Sequence, residues 1–213
     1  MKKSLIVSSF CSVTGKEVIL NNKVIYTGSC IIFKDLSNDI YSKFSIDYPK
    51  FHKMDNLSKL GFLSVELLLR DKDLGQKYPG DKIGVIFMNS ASSLDSDRRH
   101  QDTLSDREHY FPSPSIFIYT LPNVVIGEIC IRHKFYGEGN FFVAEKFNTD
   151  FIISYIEELF DSNAIQCCIA GWVEFDGEVF ESLVFLIEKQ DKTDTGIINF
   201  EPDAIRNIYE KLK

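Results

Sequence analysis

Residues 141–160 join a strand pattern directly to a helix pattern. Phe141–Val143 is a short aromatic and β-branched run, which is typical of a buried strand. A helical pattern follows, with Thr149 or Asp150 as a suitable cap, and its apolar side chains cover more than the stripe of roughly 100° that a surface helix needs. The pattern therefore predicts a buried strand that leads into a helix covered on several sides.

Other apolar runs predict the remaining strands. Asn21 and Asn22 favour a hairpin over residues 18–26, because asparagine tolerates the positive φ of a tight turn. The continuous apolar run 82–88 is typical of a strand buried on both faces. Further strands are predicted at 5–13, 30–33, 165–172 and 178–189.

Helical spacing of apolar residues is clearest from Leu57 to Leu69, where Asp55 or Asn56 is a plausible cap. Strand patterns before and after this helix predict a parallel βαβ unit, and the alternation of strands and helices indicates an α/β fold. Further helices are predicted at 127–133 and 202–212, an irregular excursion at 37–50 and a long polar connection at 89–115.

Size and charge narrow the classes of protein. A chain of 213 residues with 44% hydrophobic residues is expected to form one domain over 1–213. A net charge of −7 provides no basic stripe for a nucleic acid. No run approaches the roughly 18 apolar residues of a membrane span, and Ser8 and Ser9 interrupt the first apolar run, so we expect a cytoplasmic protein with no membrane partner.

Cysteine spacing argues against a disulfide framework and a zinc site, because five cysteines are an odd number and no CxxC pair occurs. We expect free thiols, no metal and no cofactor. The predicted strand-to-helix corner, Val143–Lys146, contains neither Cys nor Ser, so its candidate nucleophile is the carboxylate of Glu145. The cysteines are Cys11, Cys30, Cys130, Cys167 and Cys168, and the histidines, for which we expect structural roles, are His52, His100, His109 and His133.

Four segments, in their order and spacing, resemble the N-terminal half of a β-ketoacyl-acyl carrier protein synthase, a member of the thiolase-like superfamily. This resemblance implies a three-layer α-β-α fold with a mixed, mainly parallel sheet. The segments are Met54–Leu60, Ile83–Phe87, Leu121–Ile129 and Ile169–Glu174.

The resemblance also implies where the chemistry of the family takes place. Its acylated cysteine lies in a Thr-Ala-Cys motif at the strand-to-helix corner, and the matching residues here are Val143-Ala144-Glu145. The family's catalytic histidines, or histidine and asparagine, come from a C-terminal half that this sequence lacks. A carboxylate is a far weaker partner for thioester exchange than a thiolate, so we predict that this chain alone does not catalyse condensation.

The first functional hypothesis is a non-condensing accessory subunit, similar to a chain-length factor, in fatty acid, polyketide or aryl polyene biosynthesis. The resemblance implies a homo- or hetero-oligomer with a ketosynthase-like chain. In the family, the strand that enters the nucleophile corner pairs across the dimer. This places the predicted interface or binding residues at Phe141, Phe142, Val143, Lys146 and Phe147.

Two alternatives remain open. In the first alternative, the chain has a decarboxylase or residual synthase activity together with a partner. Asn123 and the backbone at Lys146 are then the candidate donors to an enolate oxygen. Alternatively, it is a docking module for an acidic acyl carrier protein, for which Arg98-Arg99 or Arg132 with Lys134 would supply a basic patch.

Overall fold

The computed structural model describes residues 4–28, 32–105, 112–177, 179–190 and 198–211. Within them, the strands form one mixed sheet in the order β3-β2-β1-β7-β6-β4-β5, and β8 pairs with β1. The strands are β1 (Leu5–Thr14), β2 (Glu17–Leu20), β3 (Lys23–Thr27), β4 (Ile83–Asn89), β5 (Gly139–Val143), β6 (Cys167–Phe175), β7 (Phe180–Lys189) and β8 (Ile198–Asn199). The α-helices are α1 (Phe33–Lys43), α2 (Asn56–Leu68), α3 (Leu74–Lys77), α4 (Leu94–Asp102), α5 (Pro114–Phe117), α6 (Val124–His133), α7 (Thr149–Asp161) and α8 (Pro202–Lys211).

The strand directions confirm a mixed sheet, but five of the seven pairings among the described strands are antiparallel, so the expectation of a mainly parallel sheet is not met. β4 is parallel to β5 on one side and to β6 on the other. β7 is antiparallel to both β6 and β1, so β1 runs in the same direction as β4, β5 and β6. The predicted βαβ unit around α2 is wrong, however, because both parallel neighbours of β4 follow it in the chain and no earlier strand pairs with it.

Alternate side chains of β4 enter two different cores. Val85 and Phe87 belong to the cluster that packs beneath α1, α2 and α6. Ile86 and Met88 belong to the cluster that packs beneath α7 and α8. Helices thus cover both faces of the sheet, which confirms the three-layer α-β-α architecture.

Helix α2 is the helix that is buried on several sides. The side chain of Asp55 caps it by accepting the Ser58 N–H at 3.0 Å. A Cβ atom at Gly61 would lie 2.5 Å from Val125 Cγ2, so glycine allows α2 and α6 to pack closely. Both the cap and the extent of this helix agree with the sequence-based prediction.

Helix α7 differs from its prediction in two respects. Its cap is Asn148, whose side chain accepts the Phe151 N–H at 3.0 Å, rather than Thr149 or Asp150. Only one face is buried, since Ile152, Ile153, Ile156 and Phe160 pack on the sheet while the acidic positions face solvent. The helix is amphipathic, and the expectation of cover on several sides is wrong.

Other local predictions had mixed outcomes. The hairpin is confirmed, with φ values of 50° at Asn21 and 64° at Asn22. The irregular excursion at 37–50 is wrong, because α1 occupies residues 33–43. The predicted strand at 30–33 is also wrong at its end, since Phe33 begins α1, while Ser29–Ile31, including Cys30, lie outside the described residues.

In the described part of the chain, no single helix is long and apolar enough to cross a bilayer. Residues 114–120 and 124–133 meet that test only as a pair, and the two segments are bent by 98° relative to each other. A single domain over 1–213 stays a prediction.

Candidate functional site at the β5–α7 corner

The corner between β5 and α7 is formed by residues 144–148. The Ala144 N–H donates to the Asn89 carbonyl at 2.9 Å, which fastens the corner to the end of β4. Glu145 and Lys146 are exposed, whereas Phe147 is buried. The structure therefore places Glu145 at a strand-to-helix corner, beside the carboxyl ends of three parallel strands, and its equivalence to the family's cysteine position stays a prediction.

A cleft of about 730 Å³ opens at this corner. Its walls come from the corner itself, from the ends of β6 and β7, and from α8. The lining residues are Ser90, Glu145, Lys146, Phe147, Asn148, Thr149, Asp150, Trp172, Glu174, Glu181, Arg206, Tyr209 and Glu210.

Glu174 ties the end of β6 to the turn that follows β4. One carboxylate oxygen accepts hydrogen bonds from the Ser90 N–H and the Ser90 hydroxyl, both at 2.6 Å. The other oxygen accepts the Ala91 N–H at 3.1 Å. This buried carboxylate thus has three donors, which fixes one wall of the cleft.

Three aromatic rings form a second wall. Phe147 lies 5.8 Å from Trp172 and 5.3 Å from Tyr209 between ring centroids. The Tyr209 hydroxyl donates to Glu181 at 2.6 Å. Burial is the main cause that raises the pKa of Tyr209, and this hydrogen bond raises the pKa further, so the phenol stays neutral. The Trp172 side chain is also buried, and its Nε1–H has no hydrogen-bond partner among the described residues.

Helix α8 closes the cleft at the N-terminus of α7. The Arg206 guanidinium donates to Asp150 at 3.2 Å, to the Thr149 hydroxyl at 3.2 Å and to Asp203 at 2.9 Å. Ile205 anchors α8 in the core beneath α7. Residues of α8 therefore cover part of α7.

Three of the predicted interface residues, Phe141, Phe142 and Val143, lie on the strand at the edge of the sheet, whereas Lys146 and Phe147 lie in the corner. Phe141 and Phe142 are half-buried, and Val143 is 54% exposed, so β5 is an edge strand and the prediction of a buried strand is wrong. Phe142 packs edge-on against Phe151 and Tyr155, with centroids 4.9 Å and 5.1 Å apart. The participation of these residues in an interface stays a prediction.

The structure does not bring the two candidate enolate donors together. Lys146 lines the cleft, but Asn123 does not. Asn123 is exposed at the start of α6, whose buried side chains belong to the core on the opposite face of the sheet from α7.

The predicted basic patches already have internal partners. Arg132 pairs with Glu66 at 3.2 Å, and His133 approaches the same carboxylate at 2.8 Å. Burial opposes ionisation of Glu66, yet the hydrogen bonds from His133 and Arg132 lower its pKa overall. Arg98 donates to the Asp176 carbonyl at 2.8 Å, so the binding capacity of both patches is partly used within the chain.

None of the described cysteines lines the cleft. Cys11, Cys167 and Cys168 are buried free thiols on strands, and burial raises the pKa of each. Cys130 is half-buried in α6, where burial raises its pKa to about 11. These thiols are therefore poor sources of a thiolate.

The residues that complete the cleft could not be assigned from sequence patterns. Glu174, Glu181, Arg206 and Tyr209 lie on β6, β7 and α8, far from the corner in the chain. Glu174 is the one charged residue in an otherwise apolar strand, and this is the one local signal that marked its position.

No family model and no curated protein matches the sequence. Among solved structures, the ishigamide ketosynthase/chain length factor is 13% identical over 90% of this chain and 63% of that chain, with a TM-score of 0.62. A type II PKS acyl-carrier protein in complex with its ketosynthase, AntDE:AntF, matches at 11% identity over 89% of this chain and 63% of that chain, with a TM-score of 0.63.

The alignment with a third solved structure covers nearly the whole of this chain and of the matched chain. The ketosynthase ApeO in complex with its chain length factor ApeC, from Xenorhabdus doucetiae, matches at 12% identity over 99% of this chain and 92% of that chain, with a TM-score of 0.57. By contrast, the chain spans less than two thirds of the matched chains in the first two structures. The likenesses show a thiolase-like, ketosynthase-type fold, which confirms the resemblance at the level of fold.

Proposed function

We propose that this chain is a non-condensing, chain-length-factor-like subunit of a ketosynthase-type assembly. The observation that carries the proposal is the composition of the β5–α7 corner. Glu145 occupies it, and no described thiol lines the adjoining cleft. The similarity to solved structures of ketosynthases with chain length factors supports the same role.

Condensation requires a nucleophile that accepts an acyl group from a thioester and releases it again. A thiolate at a helix N-terminus performs this exchange, because the dipole stabilises it and sulfur is a soft nucleophile. A carboxylate would form a mixed anhydride instead. In the proposed role, the chain keeps the fold, and Glu145 at the corner is poorly suited to the family's covalent step.

The open edge of β5 supports the assembly part of the proposal. Its backbone pairs with β4 on one side, and no described strand pairs with it on the other. Val143 and Phe151 expose apolar surface beside this edge, at 54% and 41%. An unpaired strand with flanking apolar surface is suited to pairing with a strand of another chain.

The decisive experiment is acyl loading measured by intact mass. The purified chain is incubated with malonyl- and acyl-loaded carrier protein, alone and together with an active ketosynthase. We expect no acyl adduct on this chain, while the ketosynthase becomes acylated. An adduct on this chain that disappears in the Glu145→Gln variant would refute the proposal.

Carrier-protein docking remains a second candidate, because one similar structure contains a ketosynthase with an acyl-carrier protein. Arg99 is exposed on α4 and suits a contact with an acidic partner. The Arg99→Glu variant should weaken carrier binding measured by calorimetry, and unchanged binding would remove this candidate. A decarboxylase is less well supported, since Asn123 does not line the cleft.

A further inference from the structure

We propose that helix α8 is a lid, which opens as a unit while the sheet and α7 stay folded. In the closed form, this α8 lid packs Tyr209 against Phe147 and Trp172. The proposal concerns this chain alone and does not depend on the assembly role proposed above. It rests on the small buried part of α8, on the exposure of its ion pair with α7 and on the anchored residue that precedes it.

The first argument is the difference in burial between α8 and the elements on which it packs. Of the ten residues of α8, Ile205 alone is buried. By contrast, five of the thirteen residues of α7 and all nine residues of β6 are buried. Segments with few buried apolar contacts open at a lower free energy than the core. The α8 lid is therefore expected to open without α7 or β6.

The second argument is the exposure of the charged groups that connect α8 to α7. The Arg206 guanidinium donates to Asp150 and to the Thr149 hydroxyl, both at 3.2 Å. The side chain of Arg206 is 44% exposed, and that of Asp150 is 72% exposed. Exposed ion pairs contribute little to stability and are screened by salt, so this connection stabilises the closed form only weakly.

Tyr209 gives the closed form a defined geometry. Its ring centroid lies 5.3 Å from that of Phe147 and 6.4 Å from that of Trp172. Its hydroxyl donates to Glu181 on β7 at 2.6 Å. These contacts favour the closed form, so the open form is a minor population. When the α8 lid opens, Phe147 and Trp172 lose the cover that Tyr209 provides.

The residues before α8 indicate where the lid is attached. Phe200 is buried, and its N–H donates to the Leu5 carbonyl at 3.2 Å. Glu201 is exposed, and α8 begins at Pro202. The chain therefore stays on the sheet as far as Phe200, and the motion is confined to Glu201 and the helix. A helix of ten residues is marginal in water when it is isolated, so its amides exchange with solvent in the open form.

Amide hydrogen exchange of the full chain tests whether α8 opens separately. The amides of residues 206–210 lie beyond the first turn of α8, and we would compare them with the amides of α7 and β6. We expect the α8 amides to be less protected by about tenfold or more. Equal protection of α8 and α7 would overturn the proposal.

The dependence of exchange on urea separates local from global opening. The m-value scales with the surface that an opening reaction exposes. Well below the unfolding transition, exchange in α8 should therefore depend little on urea, whereas exchange in β6 should accelerate steeply. A parallel dependence in α8 and β6 would show that both exchange through global unfolding, and it would contradict a separate lid.

A charge at the buried position of α8 should favour the open form. Ile205→Asp buries a carboxylate when the lid is closed, so we expect the α8 amides to lose their protection while β6 stays protected. Acrylamide quenching of Trp172, the single tryptophan, should rise towards that of an exposed indole. Ile131→Asp makes the same change at a residue of α6 that is 64% exposed, and it should leave both measurements unchanged.

Two results with Ile205→Asp would overturn the proposal. Loss of protection throughout the chain would show that the sheet does not persist when the lid is open. Unchanged quenching of Trp172 with lost protection in α8 would show that α8 does not cover this ring.

The contribution of Arg206 is tested by Arg206→Gln at low and high salt. This variant should lower the protection of the α8 amides by about two- to fivefold at low salt and by less at high salt, as expected for an exposed ion pair. Arg99→Gln makes the same change at an exposed position of α4 and should have no effect on α8. Equal protection in the two variants would contradict the second argument. None of these results would affect the acyl-loading experiment.

Discussion

Strand β4 has a parallel neighbour on each side, and the two neighbours have different environments. All nine residues of β6 are buried, and β6 continues the sheet into β7. In β5, Gly139 and Val143 are exposed, the three residues between them are half-buried, and no described strand lies beyond them. The difference shows that the same pairing can serve two purposes: β6 builds the core, and β5 presents an open edge.

The largest effect is expected from a substitution that places a larger side chain in β6 at Gly171. A Cβ atom at Gly171 would lie 2.0 Å from the Leu183 carbonyl oxygen and 2.9 Å from Val184 Cα, so β7 would have to move. We expect Gly171→Val to lower the free energy of unfolding by about 3 kcal/mol or more, measured by urea denaturation.

The matched control is Gly127→Ala in α6, where a Cβ atom would have no neighbour within 4 Å. Because alanine favours a helix over glycine, this variant should be more stable by about 0.5–1 kcal/mol. Destabilisation of both variants to the same extent would show that the packing of β6 is not the cause.

The next effect concerns the connection between β6 and the turn after β4. Glu174→Gln removes the charge from a buried group that accepts three hydrogen bonds. The new amide N–H₂ group would then face hydrogen-bond donors of Ser90 or Ala91 and could not accept from them. We expect a loss of about 2 kcal/mol in the free energy of unfolding. Glu145→Gln, an exposed change in the same cleft, should stay within about 0.5 kcal/mol, and a similar loss for the two would contradict the special position of Glu174.

The edge strand should respond in assembly rather than in stability. A lysine at Val143 is tolerated at an exposed edge but disfavours pairing with another strand, so Val143→Lys should change stability by less than about 0.5 kcal/mol. We expect association with itself or with a ketosynthase-like chain to weaken at least about tenfold, measured by light scattering over a concentration series.

Val179→Lys provides the control for this change. Val179 is 60% exposed, similar to Val143, but it lies before β7 and away from the β5 edge. Its variant should associate as the unmodified chain does. Undiminished association of Val143→Lys would exclude β5 as the pairing edge.

The smallest expected effect is a change in stability towards acid, and it concerns the buried carboxylate of Glu188 on β7. Burial opposes ionisation of Glu188, but hydrogen bonds from Lys77, Ser8 and Tyr78 lower its pKa below the ordinary value. A carboxyl with a lowered folded-state pKa stabilises the fold above its unfolded pKa, and this contribution is lost as the pH falls through the folded-state pKa.

The Lys77→Met variant should therefore begin acid unfolding at a higher pH than the unmodified chain, measured by circular dichroism. Lys77 lies 2.7 Å from Glu188, and its removal raises the pKa of that carboxyl towards its usual range. Lys72→Met, at an exposed position, should leave the transition where it is. Identical transitions in the two variants would show that the pair does not contribute.

The sequence predicted most of the described strands and α2 well, because continuous apolar runs and an Asp55 cap are local signals. It failed for α1, although Phe33, Leu36 and Ile40 recur at helical spacing, since the polar residues between them concealed the period. It also overestimated the cover on α7. Phe151 is apolar but 41% exposed beside the open edge, and apolar content alone does not show which face is covered.

The candidate site was predictable only in part. The strand-to-helix change after Val143 located Glu145 and Lys146, because it is a pattern in neighbouring residues. The other walls come from β6, β7 and α8, and only the tertiary fold brings Trp172, Glu181 and Arg206 to the same cleft. Local periodicity contains no information on such distant neighbours.

The placement of α8 makes the cleft depend on contacts between distant parts of the chain. Its walls join residues near 90, 145, 172 and 206, so no fragment of the chain that lacks one of them can form it. The cleft should consequently be lost together with the last cooperative structure as denaturant is added, whereas the helical signal of α2 alone gives no measure of it.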